Sequence, residues 1–468
     1  MRSNRNRLTS NEPLLATFRI SDHEHQMILL FKKHQNSVIV IIIMIGCAPI
    51  AFCLSSLYIH YFETPFSARN LENDLLFPSF DPKTTPASTS TFPTTISYNI
   101  STCHHRIVGY YTNSDSLNVT DNQLQKLTHL IFRIVKIDSN GTIQFMNSGL
   151  DERFVEIIAR AKSLNTDLKV MIGIGDSSYR LHNPITPLVT DPVMRAELIN
   201  TIIGFLIRYD IDGVDIFWSS TWRRNAPNYV KFIEELRIKL KSFEREYTIS
   251  LIVAPSITKD EYNRHHLRSA MNHVDFISVL SYNMLDRVGF KFLKFIGPTS
   301  PLFGGIRGNL DERMRYFTCA TRQPEKLNMV VLFYGTYWNN VTYPFDDSTD
   351  DIWSLTDTNN NGYQVSWKEF KRSGWNENAL SWHEKSKSSY IWNPETRTFL
   401  GLETKRSIRE KMKYANVKHI GGVSIWSLDK DDDEETLLNV VTSEKKCLMN
   451  GENSVDEDYI CYNLNVGS

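Results

Sequence analysis

Between residues 106 and 427 the chain repeats one pattern eight times: a short, mostly apolar run, then a stretch with helical periodicity. The runs fall at 106–112, 129–137, 168–175, 213–218, 248–254, 274–282, 329–334 and 419–427, with amphipathic segments such as 151–164 and 192–208 between them. Strands this apolar must be covered on both faces, as strands in a parallel sheet flanked by helices are. Eight such units in succession predict an α/β fold, a (β/α)8 TIM barrel rather than an open sheet. The chemistry of such barrels lies at the carboxyl ends of the strands. One connection, 337–400, is too long for an ordinary βα loop. It carries Trp338, Trp353, Trp367, Trp375, Trp382 and Trp392, which suits a small inserted subdomain.

The fourth run is the most informative for function. It reads Asp212-Gly-Val-Asp-Ile-Phe-Trp-Ser219. Alternate side chains of a strand share a face, so Asp215, Phe217 and Ser219 point one way and Val214, Ile216 and Trp218 the other. The stretch resembles the signature of glycoside hydrolase family 18, the chitinases and chitinase-like proteins: Asp-Gly-x-Asp-x-Asp-x-Glu. Asp212, Gly213 and Asp215 match it. Phe217 stands where the family has its second inward Asp, and Ser219 where it has the Glu that acts as general acid. The family uses the substrate's own acetamido group as nucleophile, and the resemblance implies that the second Asp orients that group. Serine cannot protonate a leaving oxygen near neutral pH, and phenylalanine cannot stabilise positive charge as a carboxylate does.

The resemblance covers about 340 residues, with further motifs in order along the chain. Val108-Gly-Tyr-Tyr-Thr-Asn and Leu127-Thr-His-Leu-Ile-Phe look like the first two strands. Leu168-Lys-Val-Met-Ile-Gly-Ile-Gly looks like the third, but continues with Asp176-Ser177 where the family has an aromatic. Ser281-Tyr282-Asn283 is similar to the sixth-strand Met-x-Tyr-Asp pattern, with Asn283 in place of the Asp. Gly421-Gly-Val-Ser-Ile-Trp-Ser-Leu-Asp429 is close to the last strand and its tryptophan. The resemblance implies an α+β insertion at 337–400 and, as ligand-binding positions, Tyr110, Asp215, Tyr282, Asn283 and Trp426. With the acid gone, Asp215 reads as a buried structural carboxylate, and Trp426 as either a sugar-stacking ring or core. The acidic run 429–435 reads as the cap of the last helix.

Ahead of the barrel, residues 37–59 carry no charge and exceed the ~20 needed to cross a bilayer. Lys32 and Lys33 precede the run, with Arg2, Arg5, Arg7 and Arg19 further back, so the N-terminus is expected in the cytosol. The expected organisation is a cytosolic tail (1–36), a signal anchor (37–59), a Ser/Thr/Pro-rich stalk (60–103), the barrel (104–446, insertion about 337–400) and a tail (447–468). This is a single-pass type II membrane protein with its barrel extracellular or lumenal. Sequons at Asn99, Asn118, Asn140 and Asn340 fit that side. Cys103, Cys319, Cys447 and Cys461 are the disulfide candidates; three connectivities exist, and Cys447–Cys461 closes the shortest loop.

A net charge of −1 gives no sign of a nucleic-acid partner, and no residues have metal-ligand spacing. No cofactor is expected, and a protein partner is not specified. The expected function is a catalytically inactive chitinase-like protein that binds chitin-type oligosaccharides or glycans. The alternatives are a surface scaffold without a glycan ligand, or a weak glycosidase whose acid is relocated to Asp176 or Asp215.

Overall fold

A computed structural model of the chain describes residues 105–112, 119–165, 167–175, 185–218, 222–253, 261–280, 294–305, 308–341, 352–356, 362–444 and 461. Eight parallel strands close into a barrel: β1 (Arg106–Tyr111), β2 (His129–Phe132), β3 (Lys169–Ile174), β4 (Gly213–Trp218), β5 (Thr248–Val253), β6 (Phe276–Val279), β7 (Leu327–Leu332) and β8 (Gly422–Trp426). Each strand pairs with its sequence neighbours, and β1 closes the ring against β8, with Val108 opposite Ser424. All eight expected runs supply a barrel strand. The second supplies less than its length. Barrel pairing stops at Phe132, and Val135–Ile137 instead forms a hairpin with Ile143–Phe145.

Two cores follow from strand parity. Outward side chains such as Val214, Ile216, Leu251 and Val253 pack against the surrounding helices. Inward ones, among them Val108, Tyr110, Ile131, Met171, Phe217 and Ile252, fill the barrel lumen. Helix Pro192–Tyr209 shows how local signals set an element. Asp191 accepts from the N–H groups of Val193 and Met194, and Pro192 stands at the first position, where no N–H is needed. The acidic run caps the last helix, Thr436–Ser443, as its composition suggests. Asp431 accepts from Leu437 and Leu438 N–H, and Asp432 from Thr436 N–H.

The insertion is a five-stranded antiparallel sheet with a short helix, Trp367–Arg372. Its order is Tyr363–Ser366, Tyr334–Trp338, Thr398–Leu402, Ser388–Asn393, Ser381–His383. It starts at Tyr334 rather than 337, because only Phe333 separates β7 from its second strand. A separate ribbon, Lys294–Ile296 with Ser354–Thr356, joins segments far apart in sequence and has no local signature.

The expected Cys447–Cys461 bridge is replaced: Cys461 pairs with Cys319 on helix Leu310–Thr321, Cα–Cα 5.5 Å. Pairing depends on which Cβ atoms meet in the fold, not on loop length. Cys103 and Cys447 lie outside the described residues. The bridge spans 142 residues, and closing so long a loop restricts the unfolded chain strongly. Cys461→Ser is expected to lower unfolding stability by about 2–5 kcal/mol. A urea titration of the oxidised protein checks this; an unchanged midpoint would show that the bridge contributes nothing.

The tail, anchor and stalk expected over 1–103 lie outside the described residues, as do Asn99 and Asn118. Among the described residues no helix is long and apolar enough to cross a membrane. Asn140 and Asn340 are both exposed.

Candidate functional site

Strand β4 lies between β3 and β5, with Asp215 opposite Gly173 and Ser250. That register places Ser250 Oγ 2.6 Å from Asp215 Oδ1, donating to it. Tyr110 on β1 reaches across the lumen and donates to Asp215 Oδ2 at 3.2 Å, and is also 3.3 Å from Ser278 Oγ. The polar chain continues downward: Ser278 Oγ to Ser424 Oγ (2.8 Å), Asn328 Nδ2 to Ser424 Oγ (3.2 Å), and Arg106 Nε to Asn328 Oδ1 (3.0 Å). Asp215 is thus a fully buried, hydrogen-bonded carboxylate in the middle of the barrel.

Burial pushes the Asp215 carboxyl up from 3.8 to about 6, against the pull of Ser250, Arg133 and Tyr110. Burial, then the charge of Asp215, drives the Tyr110 hydroxyl well above its usual range. Because the folded-state value of Asp215 is raised, the folded protein holds a proton that the unfolded chain has released between pH 3.8 and about 6. Stability from this group is therefore present at low pH and is lost as pH climbs through that window, by on the order of 3 kcal/mol. Asp215→Asn removes the dependence. Its stability relative to the parent is expected to rise between pH 4 and pH 7; a pH-independent difference in urea midpoints would refute the shift.

Asp212 matches the signature but serves the barrel floor. Its Oδ2 accepts from Val170 N–H (2.8 Å) and its Oδ1 from Arg245 NH2 (2.6 Å). Gly213 is required by close approach, since a Cβ there would collide with the Thr248 carbonyl.

Above Asp215, toward the carboxyl ends, the lumen changes character. Phe217 points inward and is 2% exposed. Trp426 closes β8 with its ring 5.0 Å from that of Tyr110, tilted by 48°. Between them stands Arg133, one residue past β2. Its guanidinium carbon lies 5.3 Å from the Phe217 ring centroid and 5.9 Å from that of Trp426. Its NH2 donates to Gly175 O at 2.9 Å. Two glycines of β3 and its exit make the space. A Cβ on Gly173 would stand 2.8 Å from Arg133 Cγ, and one on Gly175, at φ +105°, would stand 2.9 Å from Phe217 Cβ.

Of the positions expected from sequence, the structure brings together Tyr110, Asp215, Phe217 and Trp426. Ser219, Tyr282, Asn283 and Asp176 lie outside the described residues. Arg133 was missed. The signal was one of two charges inside the apolar run 129–137, the other being Lys136; parity with the inward Ile131 would have aimed Arg133, and not Lys136, into the lumen. Among the described residues no group of His, Cys, Asp and Glu side chains is placed to hold a metal ion.

The chain is thus a closed eight-stranded α/β barrel with an antiparallel insertion after its seventh strand and a buried carboxylate at its fourth. The profile of glycosyl hydrolases family 18 matches residues 106–431, and the chain belongs to that family. It is 26% identical to the oviduct-specific glycoprotein of Mus musculus, across 65% of this chain and 43% of that protein. It is 23% identical to probable chitinase 2 of Drosophila melanogaster, across 65% and 66%. To human chitinase-3-like protein 2 it is 22% identical, across 65% and 80%. The chain thus spans less than two thirds of the mouse and fly relatives. The Group IV chitinase of Ostrinia furnacalis, solved with allosamidin, shares the fold at a TM-score of 0.62 and 20% identity, over 72% of this chain and 98% of that one.

Proposed function

We propose that this protein binds chitin-type oligosaccharides or related glycans in its barrel mouth without hydrolysing them. The observation that carries the reading is the inward position two residues beyond Asp215: a buried Phe217 with a guanidinium over its ring. Glycoside cleavage passes through a positively charged, oxocarbenium-like state. An apolar ring and a fixed cation at that place oppose such a state, whereas the partly exposed ring of Trp426, backed by the buried Tyr110, is of the kind sugars stack on. Asp215 is held by Tyr110 and Ser250 in the middle of the barrel, which supports a structural role for it.

The uncharged run 37–59, with Lys32 and Lys33 before it, supports display on a type II anchor, the barrel outside the cytosol. Protease added to intact cells is expected to remove the barrel and spare the N-terminus; a protected barrel would reverse the topology.

A glycan array probed with the full-length protein, beside a chitobioside hydrolysis assay, tests the functional reading. Binding without turnover is expected. Neither binding nor turnover selects a scaffold, and turnover selects a relocated acid.

A further inference from the structure

Arg133 is out of place by ordinary rules. A guanidinium is seldom buried unless paired, because removing its charge from water is costly. Arg133 is 9% exposed. Its NH2 has the Gly175 carbonyl, but its NH1 has no hydrogen-bond partner among the described residues. No carboxylate lies within ion-pair distance among the described residues. Asp215 acts on it through space, but both Asp215 oxygens are already engaged, by Ser250 and Tyr110. The side chain is nonetheless held in one place. Gly173 leaves room for its stem, Gly175 anchors one nitrogen, and Phe217 and Trp426 lie within cation–π range of its carbon.

From this geometry we infer that the barrel mouth receives the carboxylate of an acidic saccharide, with Arg133 NH1 as its donor and Trp426 beside the ring that carries it. The inference rests on the glycan-binding reading and adds the charge of the sugar to it. A carboxylate supplies both things Arg133 lacks, an acceptor for NH1 and an anion in direct contact with the guanidinium, where Asp215 acts only through space. A neutral N-acetyl carbonyl supplies only the first. The flat face of Trp426 is compatible with either sugar, so the discrimination lies in Arg133.

Two tetrasaccharides separate the possibilities. Hyaluronan tetrasaccharide alternates glucuronic acid with N-acetylglucosamine, and chitotetraose is its neutral counterpart. Calorimetric titration of the full-length protein in mild detergent is expected to show the acidic probe binding tighter by about tenfold or more, as a charge-assisted hydrogen bond implies. In Arg133→Met, which keeps the length of the stem, that preference should collapse toward one. Arg133→Lys, which keeps the charge without the fork, should give an intermediate ratio. A thermal melt run beside each titration identifies a variant that does not fold; the parent's own selectivity and the Lys variant then decide. Equal affinity of the parent for both probes, or a preference that survives Arg133→Met, would overturn the acidic specificity and leave glycan binding standing. Such a result would make Arg133 a space-filling residue over Phe217. Binding of neither probe would overturn both.

Discussion

Full-length protein is expected to release no more product from a fluorogenic chitobioside than a buffer blank does. On the proposed reading, Ser219 stands at the general acid position and Phe217 at the charge-stabilising one. Loss of a general acid alone forfeits about 10²- to 10⁴-fold in rate, and groups that act as a unit are strongly non-additive. The structure adds a third obstacle. With the guanidinium carbon 5.3 Å from the Phe217 ring, an aspartate installed at 217 would meet a cation and pair with it instead of facing the substrate. Ser219→Glu alone is therefore expected to rescue nothing measurable. Phe217→Asp with Ser219→Glu should stay at least tenfold below the triple variant that adds Arg133→Ala, since each charge-stabilising contact is worth about 2–4 kcal/mol of barrel-mouth electrostatics. Turnover by the unmodified protein, abolished by Asp215→Ala or Asp176→Ala, would sink the inactive reading.

The largest stability effect is expected at Lys411. This lysine is fully buried on helix Lys405–Val417, paired with Glu403 and 3.1 Å from Ser300 Oγ. Glu403 also accepts from Ser407 Oγ at 2.8 Å. Burial lowers the Lys411 ammonium against the pull of Glu403. Removing one member of such a pair leaves the other charge stranded, at a cost of about 3–5 kcal/mol, whereas replacing both with apolar groups of similar size is often neutral. Lys411→Met should therefore shift the urea midpoint sharply, and Lys411→Met with Glu403→Leu should recover most of the shift. If the double variant is as unstable as the single, the pair is not what holds this helix against the insertion.

Periodicity carried the barrel because its information is local. Each run states its own length and parity, and the parity of 213–218 alone sends Asp215 and Phe217 into the lumen and Val214 and Ile216 into the helix layer. Features that depend on distant partners were not legible. Nothing near Cys461 names Cys319, and nothing near Lys294 names Thr356. Arg133 is an intermediate case. Its neighbours Phe132 and Ile134 look like strand, and only the end of pairing at Phe132 and the two glycines opposite reveal that a long cationic side chain has been accommodated. The motif match at Asp212 also ran ahead of the chemistry, since that carboxylate fastens backbone on the side of the barrel away from the mouth.

Phe333, the single residue between β7 and the first-entered strand of the insertion, donates its N–H to Trp426 O at 3.1 Å and accepts from Trp367 N–H at 2.9 Å. One residue is thus pinned to the barrel's last strand and to the insertion's helix together. There is no slack for the insertion to swing as a separate leaf. A saccharide docking beside Trp426, as proposed, would meet a strand end already tied to the insertion, and would have that much less ordering entropy to lose. On the proposed reading, in which saccharide is bound and not cleaved, changes of single side chains such as Arg133 retune selectivity without loosening that tie.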